Sequence, residues 1–124
     1  MGYVLYRALV HYYHYYFLLQ LFVKDPNSVV LEETTKLLKK SKNMLQSYFL
    51  KDHNFIHSDK ISIADIQAVC EFTQFWMAEV DPFEDRPRLA QWIADCQKEL
   101  QPHFDEVHSM LYVARDKGIF KGKL

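Results

Sequence analysis

The chain has 124 residues, 49% apolar and 25% charged, with a formal net charge of −1. That length suits one domain with its own core, and the balanced charge gives no basic footprint for nucleic acid. Three Gly and four Pro leave little room for linkers. Cys70 and Cys96 fall inside helical patterns without metal-type spacing, so both read as buried, reduced thiols of a cytoplasmic-type protein. The start carries neither a basic leader nor a small-residue cleavage site.

Residues 3–23 are dense in aromatics, and a run of that length predicts a helix rather than a strand. A membrane span would need roughly 20 apolar residues. Arg7, His11, His14 and Gln20 interrupt the run and no Lys/Arg cluster flanks it, so no membrane is expected. His11 and His14 sit one turn apart, but no third ligand is suggested, so no metal site is expected. Lys24-Asp25-Pro26 stops this helix, since proline breaks the ladder and restricts the residue before it.

Asn27 or Ser28 caps a second helix with an apolar stripe of Leu31, Leu37, Leu38, Met44, Leu45, Tyr48 and Phe49. Glu32 and Glu33 precede Lys36, Lys39, Lys40 and Lys42, an order that suits the helix dipole and predicts a solvated outer face. Residues 51–60 form a polar loop pinned by Phe55 and Ile56.

A third, central helix is predicted over 62–80. Ser62 is its cap, accepting from the Asp65 amide, and the Asp65 carboxylate reaches back to the Ser62 amide. Ile61 and Ile66 are spaced as a hydrophobic staple. Ile63, Ala64, Ile66, Ala68, Val69, Cys70, Phe72, Phe75, Trp76 and Met77 make it apolar nearly all round, so it should be buried among its neighbours.

Asp81-Pro82 ends that helix. Asp85 is the expected cap of the fourth, with Pro87 in its first turn and Leu89, Trp92, Ile93, Cys96 and Leu100 facing inward. Pro102 starts the fifth, with Phe104, Val107, Met110, Leu111 and Ala114 inward and Gly118 as its stop. The tail 119–124 should fray. Its final Gly122-Lys123-Leu124 approaches the Ser-Lys-Leu peroxisomal address but lacks the serine. The pattern as a whole predicts one all-α domain over 1–124, a five-helix bundle around a central buried helix.

The order of short motifs is more specific than any one of them. Phe49-Leu50, Asn54-Phe55-Ile56, Ile61-Ser62-Ile63-Ala64-Asp65, Phe83-Glu84, Arg86-Pro87-Arg88-Leu89-Ala90-x-Trp92 and Phe104-x-Glu106-x-His108 run collinearly through residues 48–110. That series resembles the C-terminal helical domain of cytosolic glutathione transferases, the theta class most closely; residues 1–30 resemble it only loosely. The resemblance implies an all-α bundle with a buried helix starting at this capping box.

It also implies a parent enzyme with a thioredoxin-like N-terminal domain, which binds glutathione as co-substrate and carries a thiol-activating serine. That domain is expected to be absent from this chain, which has no βαβ pattern. No serine here has the setting of the activating hydroxyl: Ser62 is committed to its cap, and Ser28, Ser41, Ser47, Ser58 and Ser109 fall at helix ends, on polar faces or in a loop. No catalytic residue, no metal and no cofactor is therefore assigned, and the chain alone is expected to be inactive.

What remains of a substrate wall is Tyr3, Tyr6 and Val10 on one face of the first helix, with Arg7 as an anion contact. The competing reading is that these residues simply meet the thioredoxin-like domain or a second subunit. The expected partners are that domain and a second copy, with a homodimer in the parent protein. The alternative function is a non-catalytic interaction module, as in glutathione-transferase-like domains of translation factors and tRNA-synthetase assemblies.

Overall fold

A computed structural model describes residues 28–122. Among these residues the chain is all helical, with no strand: α1 spans Ser28–Met44, α2 Ile63–Thr73, α3 Pro87–Leu100 and α4 His103–Asp116. These are the second to fifth predicted helices. The predicted first helix, the stop at Pro26 and the His11/His14 pair lie outside the described residues. Among the described residues no helix is long and apolar enough to cross a membrane, and no three His, Cys, Asp or Glu side chains cluster to hold a metal ion.

α1 runs into a wide π-type turn, Leu45–Phe49, in which the Leu50 amide reaches the Leu45 carbonyl at 2.9 Å. This turn changes the buried stripe. An extra residue in the turn places Leu50 under Leu45, and both are buried. Tyr48, predicted inward by ordinary helical spacing, is instead 72% exposed and meets Phe49 edge-on, at 5.1 Å. Leu38, Met44 and Phe49 pack against the core as expected. Ser41, expected on a polar face, is buried, and its hydroxyl has no hydrogen-bond partner among the described residues.

The lysine face is solvated in part. Lys36 pairs with Glu32 at 2.9 Å and Glu33 at 3.4 Å, and Lys39 and Lys40 are exposed. Lys42 turns inward and binds Asp85 at 3.2 Å. That contact explains why Asp85 does not cap α3. Its carboxylate is held by Lys42 and, at 3.5 Å, by Arg86, which together keep its carboxyl below the usual range. Arg86 occupies the cap position without a side-chain bond, and Pro87 takes the first helical position as predicted.

The central element is shorter than predicted. α2 gives way at Gln74 to a tight 3-10 turn, Gln74–Ala78, which Glu79 ends in the left-handed conformation (φ 58°). Ala68, Val69, Phe72, Phe75 and Ala78 are buried, α2 packs on α3, and the 3-10 turn packs on α4. The element is central but not apolar-buried all round: Ile63 is 78% exposed and Ile66 is also exposed. Ile61, one side of the expected staple, packs against the core, and Ile66, the other, is 39% exposed.

The inward residues of α3 are those read from its spacing: Leu89, Trp92, Ile93 and Cys96 are buried and Leu100 packs against them. On α4 the prediction is half wrong. Phe104 is buried, but Val107 and Met110 are 72% and 77% exposed, and His108 takes the inner position. A histidine with both ring nitrogens satisfied costs little to bury, whereas apolar periodicity assigns it no place in a core. Gly118 ends the helix as expected (φ 63°): its amide meets the Arg115 carbonyl at 2.9 Å, and the Ile119 amide meets Ala114 at 3.2 Å. The tail does not simply fray. Phe120 packs on the core, and Lys121 pairs with Glu79 at 3.1 Å. Lys123 and Leu124 lie outside the described residues.

Candidate functional site

The predicted capping box forms. Asp65 Oδ2 accepts the Ser62 amide and the Ser62 hydroxyl, both at 3.0 Å. The other oxygen does more than the sequence suggests. Asp65 Oδ1 accepts the Ile56 amide at 2.8 Å and the Trp92 indole Nε1–H at 2.9 Å. The carboxylate is fully buried (0% exposed) at the start of α2, where the helix dipole favours negative charge. One side chain thus ties the 51–60 loop, the cap of α2 and the middle of α3. Four donors fill the roughly four lone-pair positions of a carboxylate, so none is left for a ligand or metal.

Arg88, from the first turns of α3, holds the other side of the same loop. Its Nη2 donates to the carbonyl of His53 at 2.7 Å, with Leu50 and Asn54 at 3.5 Å. Asp59 closes the loop by accepting the Asn54 amide at 3.0 Å. An Arg88→Met variant is expected to lose about 1–3 kcal/mol of stability. Hydrogen exchange should locate the loss as faster exchange at residues 51–57, with α4 unaffected.

A cleft of about 540 Å³ opens where the 3-10 turn meets α3 and α4. Trp76, Glu79, Val80 and Asp81 form one wall, and Gln97, Tyr112 and Arg115 the other. The volume falls in the range of small-molecule sites, roughly 300–1,000 Å³. The Arg115 guanidinium lies 4.9 Å from the Tyr112 ring centroid, and the Tyr112 hydroxyl donates to Asp105 at 2.9 Å. A second, apolar cleft of about 380 Å³ lies beside the cap, lined by Phe49, Ile56, His57, Ser62, Ile63 and Ala64.

Neither cleft offers an activated nucleophile or thiol activator. Burial, followed by the hydrogen bond to Asp105, pushes the Tyr112 hydroxyl up to about 12. A phenol so held keeps its proton at neutral pH. Burial also raises both thiols, Cys70 further through Glu71, and Cys96 further through Asp65 and Asp95. Both stay protonated and unreactive. Cys96 is buried as predicted; Cys70 is only half-buried.

The Tyr112 shift has a stability consequence with a definite sign. The folded-state value lies above the ordinary 10, so the folded state holds a proton that the unfolded state has lost. The contribution is complete below pH 10 and disappears as pH rises to about 12. Spectrophotometric titration of the unaltered chain and of Tyr112→Phe should differ by a late phenol, and the substitution should remove this part of the alkaline destabilisation.

The residues predicted for a substrate wall, Tyr3, Tyr6, Arg7 and Val10, lie outside the described residues. Of the predicted site residues, the structure brings together Ser62 and Asp65, in a structural role. Sequence reasoning missed the two further partners of Asp65. The available signal was Trp92 on an otherwise apolar inner face, since a buried indole N–H needs an acceptor.

Residues 18–99 match the family model described as glutathione S-transferase, C-terminal domain. Glutathione S-transferase T3 of Arabidopsis thaliana is 38% identical over 100 residues, covering 73% of this chain and 16% of that protein. Glutathione S-transferase T1 of the same plant is 34% identical over 99 residues, covering 73% of this chain and 39% of the relative. Glutathione S-transferase theta-1 of Gallus gallus is 40% identical over 76 residues, covering 60% and 29%. The chain thus spans well under half the length of these relatives. No solved structure matches.

Proposed function

As the chain belongs to the glutathione S-transferase C-terminal domain family, we propose that it forms the electrophile-side wall of a theta-like glutathione transferase, which joins glutathione to electrophilic substrates. The observation that carries this reading is a pairing. Theta-type relatives align through the capped central helix, while every thiol or phenol whose ionisation is displaced among the described residues is pushed toward its protonated form. Thiol activation then falls to a thioredoxin-like domain, and this chain's part is to position the electrophile and exclude water.

Tyr3, Tyr6 and Val10 remain the proposed apolar contacts, with Arg7 for an anionic group. Glutathione is a co-substrate in this scheme. The proposed partners are the thioredoxin-like domain and a second subunit of a homodimer. The free thiols of Cys70 and Cys96 suit a reducing, cytoplasmic setting.

Catalysis of this type needs a stabilised thiolate and a positioned electrophile in one site. The chain alone, incubated with glutathione and a reactive aryl halide, should therefore give only the uncatalysed rate. Joined to a theta-like thioredoxin-like domain it should turn over, and Tyr6→Ala or Arg7→Ala should reduce that turnover about tenfold, the effect of one lost positioning contact. Turnover by the chain alone would refute the proposal.

A further inference from the structure

The outer face of α4 carries an apolar stripe that nothing among the described residues covers. Met110 and Val113 lie opposite Phe104 and His108, Val107 borders them on the flank of the helix, and all three are exposed. They follow one another at three-residue steps over a little under two turns, close enough to form one patch. A stripe this continuous on the outer face of a soluble helix marks a contact surface.

The flanking charges specify the partner. Glu106, whose Oε2 also lies 3.0 Å from His103 Nδ1, stands at the N-terminal end of the stripe and Lys117 at the C-terminal end, where α4 closes in helical geometry. Glu106 lies four residues before Met110, and Lys117 four residues after Val113. A two-fold axis that sets Met110 of one chain against Val113 of another therefore also sets Glu106 against Lys117, twice over. The helix dipoles run antiparallel in the same arrangement. Parallel pairing would place like charges together at both ends.

We infer that α4 is a self-association surface, pairing antiparallel with α4 of a second copy of this chain. The face is distinct from the first-helix residues proposed to meet a partner subunit. A helix of 14 residues is about 21 Å long, and such a contact alone falls below the roughly 1,200 Å² of a standard stable interface. The dimer formed through this face is accordingly weak, assembling at tens to hundreds of micromolar.

Zero-length carbodiimide coupling of the full chain tests the register. Glu106 and Lys117 are eleven residues apart, about 16 Å along one helix, so a bond between them can form only between chains. Mass spectrometry at hundreds of micromolar should find a Glu106–Lys117 peptide, and Met110→Glu should remove it while weakening sedimenting dimer about tenfold. Glu106→Lys and Lys117→Glu should each weaken association severalfold. An equimolar mixture of the two should recover it, because the mixed dimer restores both charge pairs. Circular dichroism should show all three variants folded, since the changed side chains face solvent. Absence of the cross-link, or variants that associate as the unaltered chain does, overturns the inference, including where dimers form through another face.

Discussion

Asp65→Ala should be the most damaging single substitution in the described fold. Removing the carboxylate leaves the buried Ile56 amide and Trp92 indole N–H, and the part-buried Ser62 amide, without their acceptor. Each orphaned donor costs roughly 1–3 kcal/mol, and loss of a buried charged hub typically costs about 3–5 kcal/mol in all. Domains of this size have only about 5–15 kcal/mol of stability in total. Urea titration followed by tryptophan fluorescence should show the midpoint lowered by at least about 1 M relative to the unaltered chain. Asp65→Asn separates charge from shape. Its amide nitrogen must face either Ser62 or the Ile56/Trp92 pair, and in either orientation donor meets donor. A loss of about 2–3 kcal/mol is expected, smaller than for alanine. An Asp65→Ala protein with unaltered stability would mean that the four hydrogen bonds do not hold the loop, α2 and α3 together.

The second large effect is expected at His108, and it should be strongly non-additive. The Phe104 carbonyl lies 2.7 Å from His108 Nδ1 and can only accept, so Nδ1 carries the proton. Nε2 pairs with the Thr73 hydroxyl at 2.8 Å, closer to that hydroxyl than the Cys70 carbonyl at 3.3 Å. The ring also stacks on Phe104 with centroids 4.0 Å apart. Thr73→Val leaves Nε2 buried and unpaired, a loss of about 1–3 kcal/mol. His108→Ala removes the stack as well and opens a cavity, for about 3–4 kcal/mol. Thr73→Val combined with His108→Leu removes both polar groups and refills the space. That double variant should lie about 1–2 kcal/mol above the sum of its single changes. Chemical denaturation of the four proteins closes the cycle; strict additivity would show that the Thr73–His108 contact carries no energy.

These two sites show where the sequence was readable. The capping box was legible because it is local: Ser62 and Asp65 are three residues apart, and the rule connecting them involves one helix turn. The links from Asp65 to Ile56 and Trp92 join different elements, and no periodicity specifies them. The inner face of α3 was legible because Leu89, Trp92, Ile93 and Cys96 are all apolar and follow one straight helix. On α1 the wide turn at Leu45–Phe49 moved Leu50 in and Tyr48 out, a change that ordinary helical spacing misassigns. On α4, apolar counting drew Val107 and Met110 inward, while the buried position belonged to a histidine satisfied by a side chain 35 residues away. The Asp85 cap failed for a related reason, because its carboxylate answers to Lys42 across the fold.

The same contrast governs the site. The family was legible in the collinear motifs between residues 48 and 110, and the match over 18–99 agrees. The clefts were not legible, since Trp76, Gln97 and Tyr112 meet only through packing. The chemistry of their lining was still informative once assembled. A phenol pushed up to about 12 and two thiols raised by burial point away from nucleophile activation.

The division of labour proposed between this chain and a thioredoxin-like domain is tested most directly by titrating the glutathione thiol. Ultraviolet difference absorbance follows the thiolate as pH is raised, with and without a saturating concentration of the chain. The expected result is superimposable curves for the chain alone and an acid-shifted curve once the thioredoxin-like domain is joined to it. An acid-shifted thiol in the presence of this chain by itself would contradict the assignment of thiol activation to the other domain.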